Sequence, residues 1–168
     1  FANAGVSAPA QLWRVPVGLK FSDGKKVQTK TVLLDSAEKI FDLGGAVSWI
    51  LPNAEGSGYY RFTLERPQLL RLAEVAGKEL APRERISFIG DLAALLDAGL
   101  LHGDDYLAAL AHFADDPVPQ VISSLLNGLG KVRTVFVTDA LKPRYAAYIR
   151  RTLAPAKRRF GLARKRDI

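Results

Sequence analysis

The chain has 168 residues, which is enough for one or two small domains with modest hydrophobic cores. It has no cysteine, which excludes disulfides and thiolate metal sites, and no apolar run approaches the roughly 18 residues that span a membrane. The net charge is +7, and the excess of bases belongs largely to the C-terminal tail. Because the chain begins at Phe1 and contains no methionine, we expect a piece of a longer or processed protein.

The N-terminal part predicts a β-hairpin. Hydrophobic side chains alternate from Leu12 to Phe21, which indicates a strand with one buried face, and Pro16 favours an edge position or a bulge in it. Ser22–Lys25 contains Asp-Gly, a strong hairpin signal. We expect the following strand to have one solvent-exposed face and one buried face, and the buried face to be formed by Val27, Thr29, Thr31 and Leu33.

The stretch from Trp49 to Arg61, WILPNAEGSGYYR, divides strand-like sequence from helix-like sequence. It predicts a strand that ends at Pro52-Asn53, since proline cannot donate to a ladder and asparagine tolerates turns. Gly56-Ser57-Gly58 allows a sharp reversal, and the aromatic residues after it predict another strand.

With a further short strand at residues 40–43, the sequence predicts about five strands. A sheet with one apolar face needs a second layer, so we expect a β-sandwich over residues 1–64, which is incomplete if strands precede this chain.

Residues 65–168 show helical spacing of apolar side chains. We predict helices that begin near Pro67, Pro82, Asp104, Pro117 and Lys142, with Gly99 ending the second. Short loops between such helices are typical of antiparallel helix pairs, as in a solenoid. The predicted fold class is therefore α+β with two domains, a β-sandwich followed by an α-helical domain.

Three segments resemble, in the same order, the C-terminal half of the zinc aminopeptidases of the aminopeptidase N and puromycin-sensitive aminopeptidase family. They are Trp13-Arg14-Val15-Pro16-Val17, the Trp-x-x-Pro-Asn strand with its Gly turn and Tyr-Arg strand, and Glu84–Asp91 with the sequence ERISFIGD. The resemblance implies a non-catalytic fragment that closes the peptide chamber and shapes preference for substrate length. The parent would release N-terminal residues from peptides.

The same resemblance implies a zinc ion in the upstream catalytic domain, held by a His-Glu-x-x-His helix. This chain has only His102 and His112, ten residues apart with no glutamate between them, so we expect no catalytic residue, cofactor site or metal ligand in it. The implied partners are the upstream domain of the same polypeptide and peptide substrates.

Other polar motifs also favour structural roles. Asp104-Asp105 and Asp115-Asp116 precede helices, where negative charge suits the helix dipole. Ser123-Ser124 lacks the Gly-x-Ser-x-Gly pattern of a serine nucleophile, and the glycines near it do not lead from a strand into a phosphate-binding helix.

Lys131 and Arg133 are the candidate binding residues. Family members that trim long peptides resemble one another in having basic residues on the inner face of the helical domain, and these hold the peptide's C-terminal carboxylate. By that resemblance Arg133, with Lys131, is the expected site. The alternative is that both side chains belong to a solvated helix face.

The basic tail, Lys157-Arg158-Arg159 and Arg164-Lys165-Arg166, leaves a competing hypothesis open. The chain would then be a freestanding helical-solenoid binding module whose tail meets an acidic partner. Aromatic residues among these bases are few, so nucleic acid is not favoured. The tail could instead dock on the acidic segment 84–130. No membrane partner is expected, and the sequence does not fix the compartment.

Overall fold

The computed structural model describes residues 13–161 and divides into two compact units, the first ending at Gly58 and the second beginning at Tyr59. In the described range, three strands precede six helices, so the predicted α+β class is confirmed. The predicted domain boundary between residues 64 and 65 stays a prediction.

The described part of the first unit, residues 13–58, contains an antiparallel sheet with strand order β2-β1-β3. The strands are β1 (Val15–Ser22), β2 (Val27–Leu34) and β3 (Trp49–Leu51). The hairpin turn between β1 and β2 forms as predicted, because Asp23 Oδ1 accepts hydrogen bonds of 2.8 Å from the backbone N–H groups of Lys25 and Lys26. Gly24 has φ +95°, a backbone conformation that L side chains rarely adopt.

The prediction of which face of β2 is buried was wrong. Val17 lies opposite Val32, and Leu19 lies opposite Lys30, so the register puts the even-numbered side chains of β2 on the apolar face of β1. Val32 is buried, whereas Leu33 is exposed. Lys30 avoids burying its charge by extending to the backbone carbonyl of Asp42, at 2.8 Å. The turn length decided this register, and a shift of one residue exchanges the two faces.

The two further strands predicted at residues 40–43 and after Gly58 do not form within the described range, so a two-layer sandwich is not seen there. Instead, loop side chains cover the apolar face formed by Leu19, Phe21 and Val32. These partly buried residues are Phe41, Leu43 and Val47, with Val17 and Ile50 from the strands. Gly44 and Gly45, both at positive φ, bend the chain away from the strand conformation that the alternation of 40–43 suggested.

Asn53 closes the loop that follows β3. Its side chain is buried, accepts a 2.8 Å hydrogen bond from the Gly58 N–H and donates one of 3.2 Å to the Gly58 carbonyl. The pair of bonds imitates a strand ladder across five residues. The Pro-Asn motif therefore has a structural role in this unit.

The second unit is helical. Its helices are α1 (Arg66–Glu79), α2 (Pro82–Asp97), α3 (Gly103–Ala111), α4 (Pro119–Val135), α5 (Lys142–Thr152) and α6 (Ala154–Phe160). Proline stands in the first turn of five of them, where its missing N–H costs nothing. Gly99, at φ +70°, follows α2 as predicted. The sequence did not predict α6 as a separate helix.

The core of the second unit lies among α1 to α4. Helix α1 contacts α3, α2 contacts α4, and α3 also contacts α2 and α4, which is the arrangement of stacked helix pairs. The largest fully buried side chains include Tyr106, Phe88 and Phe113. Phe88 contacts Phe113 edge-on and stacks on Phe62, with ring centroids 6.2 and 6.3 Å apart.

Candidate functional site

The main candidate site is a groove between α4 and α5 with a volume of about 550 Å³. Its floor is apolar, and its basic residues are Arg133, Lys142 and Arg150. We call it the α4–α5 groove, and its lining residues are Leu126, Leu129, Gly130, Arg133, Val137, Lys142, Tyr145, Ala146, Ile149, Arg150 and Leu153.

Two tyrosines of α5 fix this helix against its neighbours. Tyr145 donates a 2.6 Å hydrogen bond to the carbonyl of Leu129 in α4, and Tyr148 donates one of 2.8 Å to the carbonyl of Leu107 in α3. The two rings stack with centroids 6.1 Å apart. Burial raises the pKa of both hydroxyls, and the positive charge of Arg133 partly opposes that rise at Tyr145. Arg133 therefore lies close to the Tyr145 end of the groove.

Arg133 is exposed and makes no hydrogen bond or ion pair with any residue of the described range. A guanidinium in that state can still use its planar fork of donors on a ligand carboxylate. Lys142 is different, because its ammonium lies 2.6 Å from an Asp139 carboxylate oxygen.

Lys131 lies elsewhere. Its ammonium is paired with the carboxylate of Asp97, and its side chain lines a smaller cavity of about 370 Å³ between α2 and α4. The structure therefore does not bring Lys131 and Arg133 together in one cavity. Helical geometry explains the separation, since positions two apart on a helix point about 200° from each other.

The smaller cavity is bounded by a close contact between α3 and α4. The buried hydroxyl of Tyr106 packs over Gly128, and a Cβ at that glycine would lie 2.6 Å from the hydroxyl oxygen. Burial, together with the negative charge of Asp97, raises the pKa of Tyr106 to about 12. In the described part of the chain this hydroxyl has no hydrogen-bond partner. Gly128 is thus a position where α3 and α4 pack closely against each other.

The acidic pairs divide between solvent and the core. Asp105 is buried and accepts two 2.7 Å hydrogen bonds from the guanidinium of Arg66, which hold the pKa of its carboxyl below the ordinary value. Asp116 is buried beside Arg85, with 2.7 Å between Oδ2 and Nε, and its Oδ1 caps the N–H of Val118 at 2.9 Å. Both pairs join distant parts of the unit, a role that the sequence did not show.

A third ion pair joins Arg61 to Asp91 at 2.7 Å. Here burial dominates, and it raises the pKa of the Asp91 carboxyl even though Arg61 acts in the opposite direction. Its second carboxylate oxygen is buried without a hydrogen-bond partner among residues 13–161. The side chains of these three pairs line neither the α4–α5 groove nor the smaller cavity between α2 and α4.

The remaining sequence candidates lie in structural positions. His102 and His112 flank opposite ends of α3, and both are exposed. Ser123 and Ser124 donate 3.1 Å hydrogen bonds to carbonyls four residues back in α4. In the range that the structure describes, no three histidine or carboxylate side chains cluster so that they could hold a metal ion.

Part of the basic tail lies on α6. Arg159 pairs with Asp115 at 3.0 Å, which is one contact between the tail and the acidic segment. Arg164-Lys165-Arg166 lies outside the described residues. None of the helices from residue 13 to 161 combines the length and apolar character needed to cross a bilayer.

Sequence reasoning missed Arg150, Lys157 and Arg158 as groove residues. Arg150 lines the α4–α5 groove, and Lys157 and Arg158 line its continuation along α6. The sequence does contain a signal for these residues. Arg150 and Lys157 are seven residues apart, and each lies beside or one turn from the apolar residues Ile149 and Leu153.

Two comparisons with known proteins bear on this arrangement. A family model described as the ERAP1-like C-terminal domain matches residues 49–167, which is more than half of the chain. The chain is also 28% identical over 120 residues to Tricorn protease-interacting factor F2 of Thermoplasma acidophilum. That alignment covers 70% of this chain and only 14% of the relative, so the chain spans a small part of that protein's length.

Proposed function

The chain belongs to the ERAP1-like C-terminal domain family, and on that premise we propose that it closes the peptide chamber of a zinc-dependent aminopeptidase. It is a C-terminal region of an aminopeptidase-family protein, as the resemblance predicted. In our proposal it binds the C-terminal end of the peptide, while the parent removes residues from the N-terminal end. A peptide of suitable length would engage both sites at once, and this would set the preference for length.

The observation that carries the proposal is the position of Arg133. It lies at an apolar groove large enough for a few residues of extended peptide, and no residue of the described range neutralises its charge. A C-terminal carboxylate is a planar anion that a guanidinium binds with two parallel hydrogen bonds. Lys131, already paired with Asp97 at another cavity, is the weaker candidate for this role.

The residues present do not fit a zinc ion, since the described part of the chain offers no cluster of ligands. By the resemblance to the aminopeptidase family, we propose that the zinc, the general base and the pocket for the free amine belong to an upstream catalytic domain. This chain contributes binding and orientation, and we expect no peptide hydrolysis by it alone.

A comparison of peptide acids with peptide amides tests the role of Arg133. We expect a fluorescein-labelled peptide with a free C-terminal carboxylate to bind about tenfold more tightly than its C-terminal amide, measured by fluorescence anisotropy. Arg133→Gln should reduce that difference to about twofold or less. Arg144→Gln, which removes a charge from α5 outside the groove, is the matched control and should keep it.

Equal binding of the acid and the amide by the wild-type chain would contradict this proposal. If binding then depended on salt alone and nucleic acid bound tightly, the freestanding module with a basic tail would become the better hypothesis. In the parent enzyme, Arg133→Gln should raise KM for long peptides and leave that for single-residue amides unchanged.

A further inference from the structure

The α4–α5 groove continues along α6. A second concavity of about 700 Å³ shares Ile149, Arg150 and Leu153 with the groove and extends it to Ala154, Lys157 and Arg158. An extended ligand that starts beside Arg133 could therefore follow α5 toward α6 without leaving the apolar floor. We call this continuation the α6 extension.

The α6 extension carries more positive charge than one carboxylate requires. Arg150, Lys157 and Arg158 are exposed, and none of them has an ion-pair partner in the described part of the chain. Neighbouring Arg159, in contrast, is paired with Asp115. If Arg133 holds the terminal carboxylate, three cations remain free beside the path of the residues that precede it. Like charges left together in this way attract an anionic ligand.

Helix geometry gives the spacing along this path. Arg133 lies near Tyr145, and Arg150 is five residues further along α5. At a rise of 1.5 Å per residue this corresponds to about 7–8 Å, or roughly two residues of extended peptide. Lys157 and Arg158 follow after the junction of α5 and α6. An acidic side chain roughly two to five residues before the C-terminus would thus lie within reach of a free cation.

The shape and chemistry of the groove favour a peptide over other polyanions. Its floor is formed by aliphatic side chains, such as Leu129, Ile149 and Leu153, which a sugar-phosphate backbone does not use. Its concave form does not match a flat lipid surface. A peptide can supply apolar side chains for the floor of the groove and carboxylates for its basic rim.

We propose that this groove selects peptides that carry acidic side chains about two to five residues before their C-terminus. The inference rests on the proposed function, because it takes the terminal carboxylate to bind at Arg133. It adds a preference for substrate composition that binding of the carboxylate alone does not require.

The test uses the whole 168-residue chain and fluorescein-labelled peptides. The reference peptide is Ala-Glu-Ala-Glu-Ala-Ala-Leu, and two further peptides carry Gln or Lys at both Glu positions. Each is made as the acid and as the C-terminal amide. We expect the Gln peptide to bind about three- to tenfold more weakly than the Glu peptide, and the Lys peptide more weakly still, with differences that shrink at high salt.

Variants locate the effect. In the triple variant Arg150→Gln, Lys157→Gln, Arg158→Gln, the Glu and Gln peptides should bind within about twofold of each other, while the acid still binds better than the amide. The control is Arg144→Gln with Arg151→Gln, which removes two basic charges, against three in the triple variant, from α5 at positions that do not line either cavity. This control should keep the preference for Glu. Circular dichroism verifies that each variant is folded.

The outcomes separate the two proposals. If the acid binds better than the amide but Glu, Gln and Lys peptides bind equally, only the preference for acidic residues is overturned. If the acid and the amide bind equally, or no peptide binds, both proposals are overturned. An equal loss of the Glu preference in the control variant, or tight binding of a single-stranded oligonucleotide in competition with the peptide, would show general attraction of anions and would overturn the inference.

Discussion

The first four helices and the last two use charged side chains in opposite ways. In α1 to α4 and their loops, three carboxylates, those of Asp91, Asp105 and Asp116, are buried and each is paired with an arginine. In α5, none of the residues is buried, and the basic side chains of α5 and α6 mostly face solvent. In the first region, buried ion pairs hold distant segments together. In the second region, most of the basic side chains remain available for a ligand.

This difference separates charges that stabilise the fold from charges that are available for binding. Substitutions at the buried ion pairs of α1 to α4 should change the free energy of unfolding. In contrast, peptide affinity should change on substitution of the cations that are exposed and unpaired within the described range, Arg133, Arg150, Lys157 and Arg158. The division would be wrong if a variant at a buried ion pair changed only peptide affinity, or if a variant at an exposed cation changed the free energy of unfolding.

The largest effect is expected at Arg85. It is buried against Asp116 and also donates to the carbonyl of Leu80, so Arg85→Gln leaves a buried carboxylate without its counter-charge. We expect a loss of about 3 kcal/mol in the free energy of unfolding, measured by urea denaturation. Arg83→Gln, on the exposed face of the same helix, should change it by less than about 0.5 kcal/mol.

Arg150→Gln extends the comparison into the last two helices and should also leave stability unchanged. A loss at Arg85 no larger than that at Arg83 or Arg150 would mean that the buried pair contributes no more than a surface charge.

The next effect concerns two glycines of α4. At Gly128 a Cβ would lie 2.6 Å from the Tyr106 hydroxyl and 3.1 Å from a methyl of Leu110, so Gly128→Ala should cost about 2 kcal/mol despite the better helix propensity of alanine. At Gly130, which is exposed, nothing lies within 4 Å, and Gly130→Ala should stabilise by about 0.5–1 kcal/mol. The opposite stability changes expected at Gly128 and Gly130 distinguish the face of α4 that packs against α3 from the face that borders the α4–α5 groove.

Thermal or urea unfolding of the two alanine variants measures this contrast. If both substitutions stabilised the chain, α3 and α4 would not approach as closely as the structure shows. Tyr106→Phe combined with Gly128→Ala should recover part of the loss, because it removes the atom that the new methyl group meets.

The smallest effect is a pH dependence with opposite signs at two carboxylates. The folded-state pKa of Asp105 is lowered by Arg66, so the stability from this pair is present above the ordinary carboxyl pKa of about 3.9 and is lost as the pH falls through the lower, folded value. The stability difference between wild type and Asp105→Asn should therefore be larger at neutral pH than at pH values below about 3.

At Asp91 the folded-state pKa is raised by burial, so ionisation opposes folding as the pH rises above the ordinary value. Relative to Asp91→Asn, the wild type should lose stability from acid to neutral pH. Urea denaturation at a series of pH values measures both differences, and parallel curves for the two variants would contradict the assigned environments.

The sequence alone determined that strands precede helices and where most of the helices begin, because the signals for helix ends are local. A proline in the first helical turn, such as Pro67 or Pro82, and a glycine after the last turn, such as Gly99, need no distant partner. The order of strands followed by helices, and the resemblance to the C-terminal half of an aminopeptidase family, depended on such local features. Both are confirmed.

Tertiary structure decided everything that depends on which residues meet across the chain. The register of β2 against β1 placed Val32 in the core and Lys30 beside it, and alternation along one strand cannot show which face finds a partner. Asp105 and Asp116 were predicted to serve their own helices, yet each meets an arginine more than thirty residues away in the sequence.

The candidate site shows the same limit. Arg133 was identified by resemblance, but only the packing of α5 against α4 shows that it borders an apolar groove, and only contacts show that Lys131 is paired at another cavity. Local patterns fix where helices begin and end, because capping and turn energies act within a few residues. A binding surface depends on which charges remain unpaired after packing, and packing is a property of the whole fold.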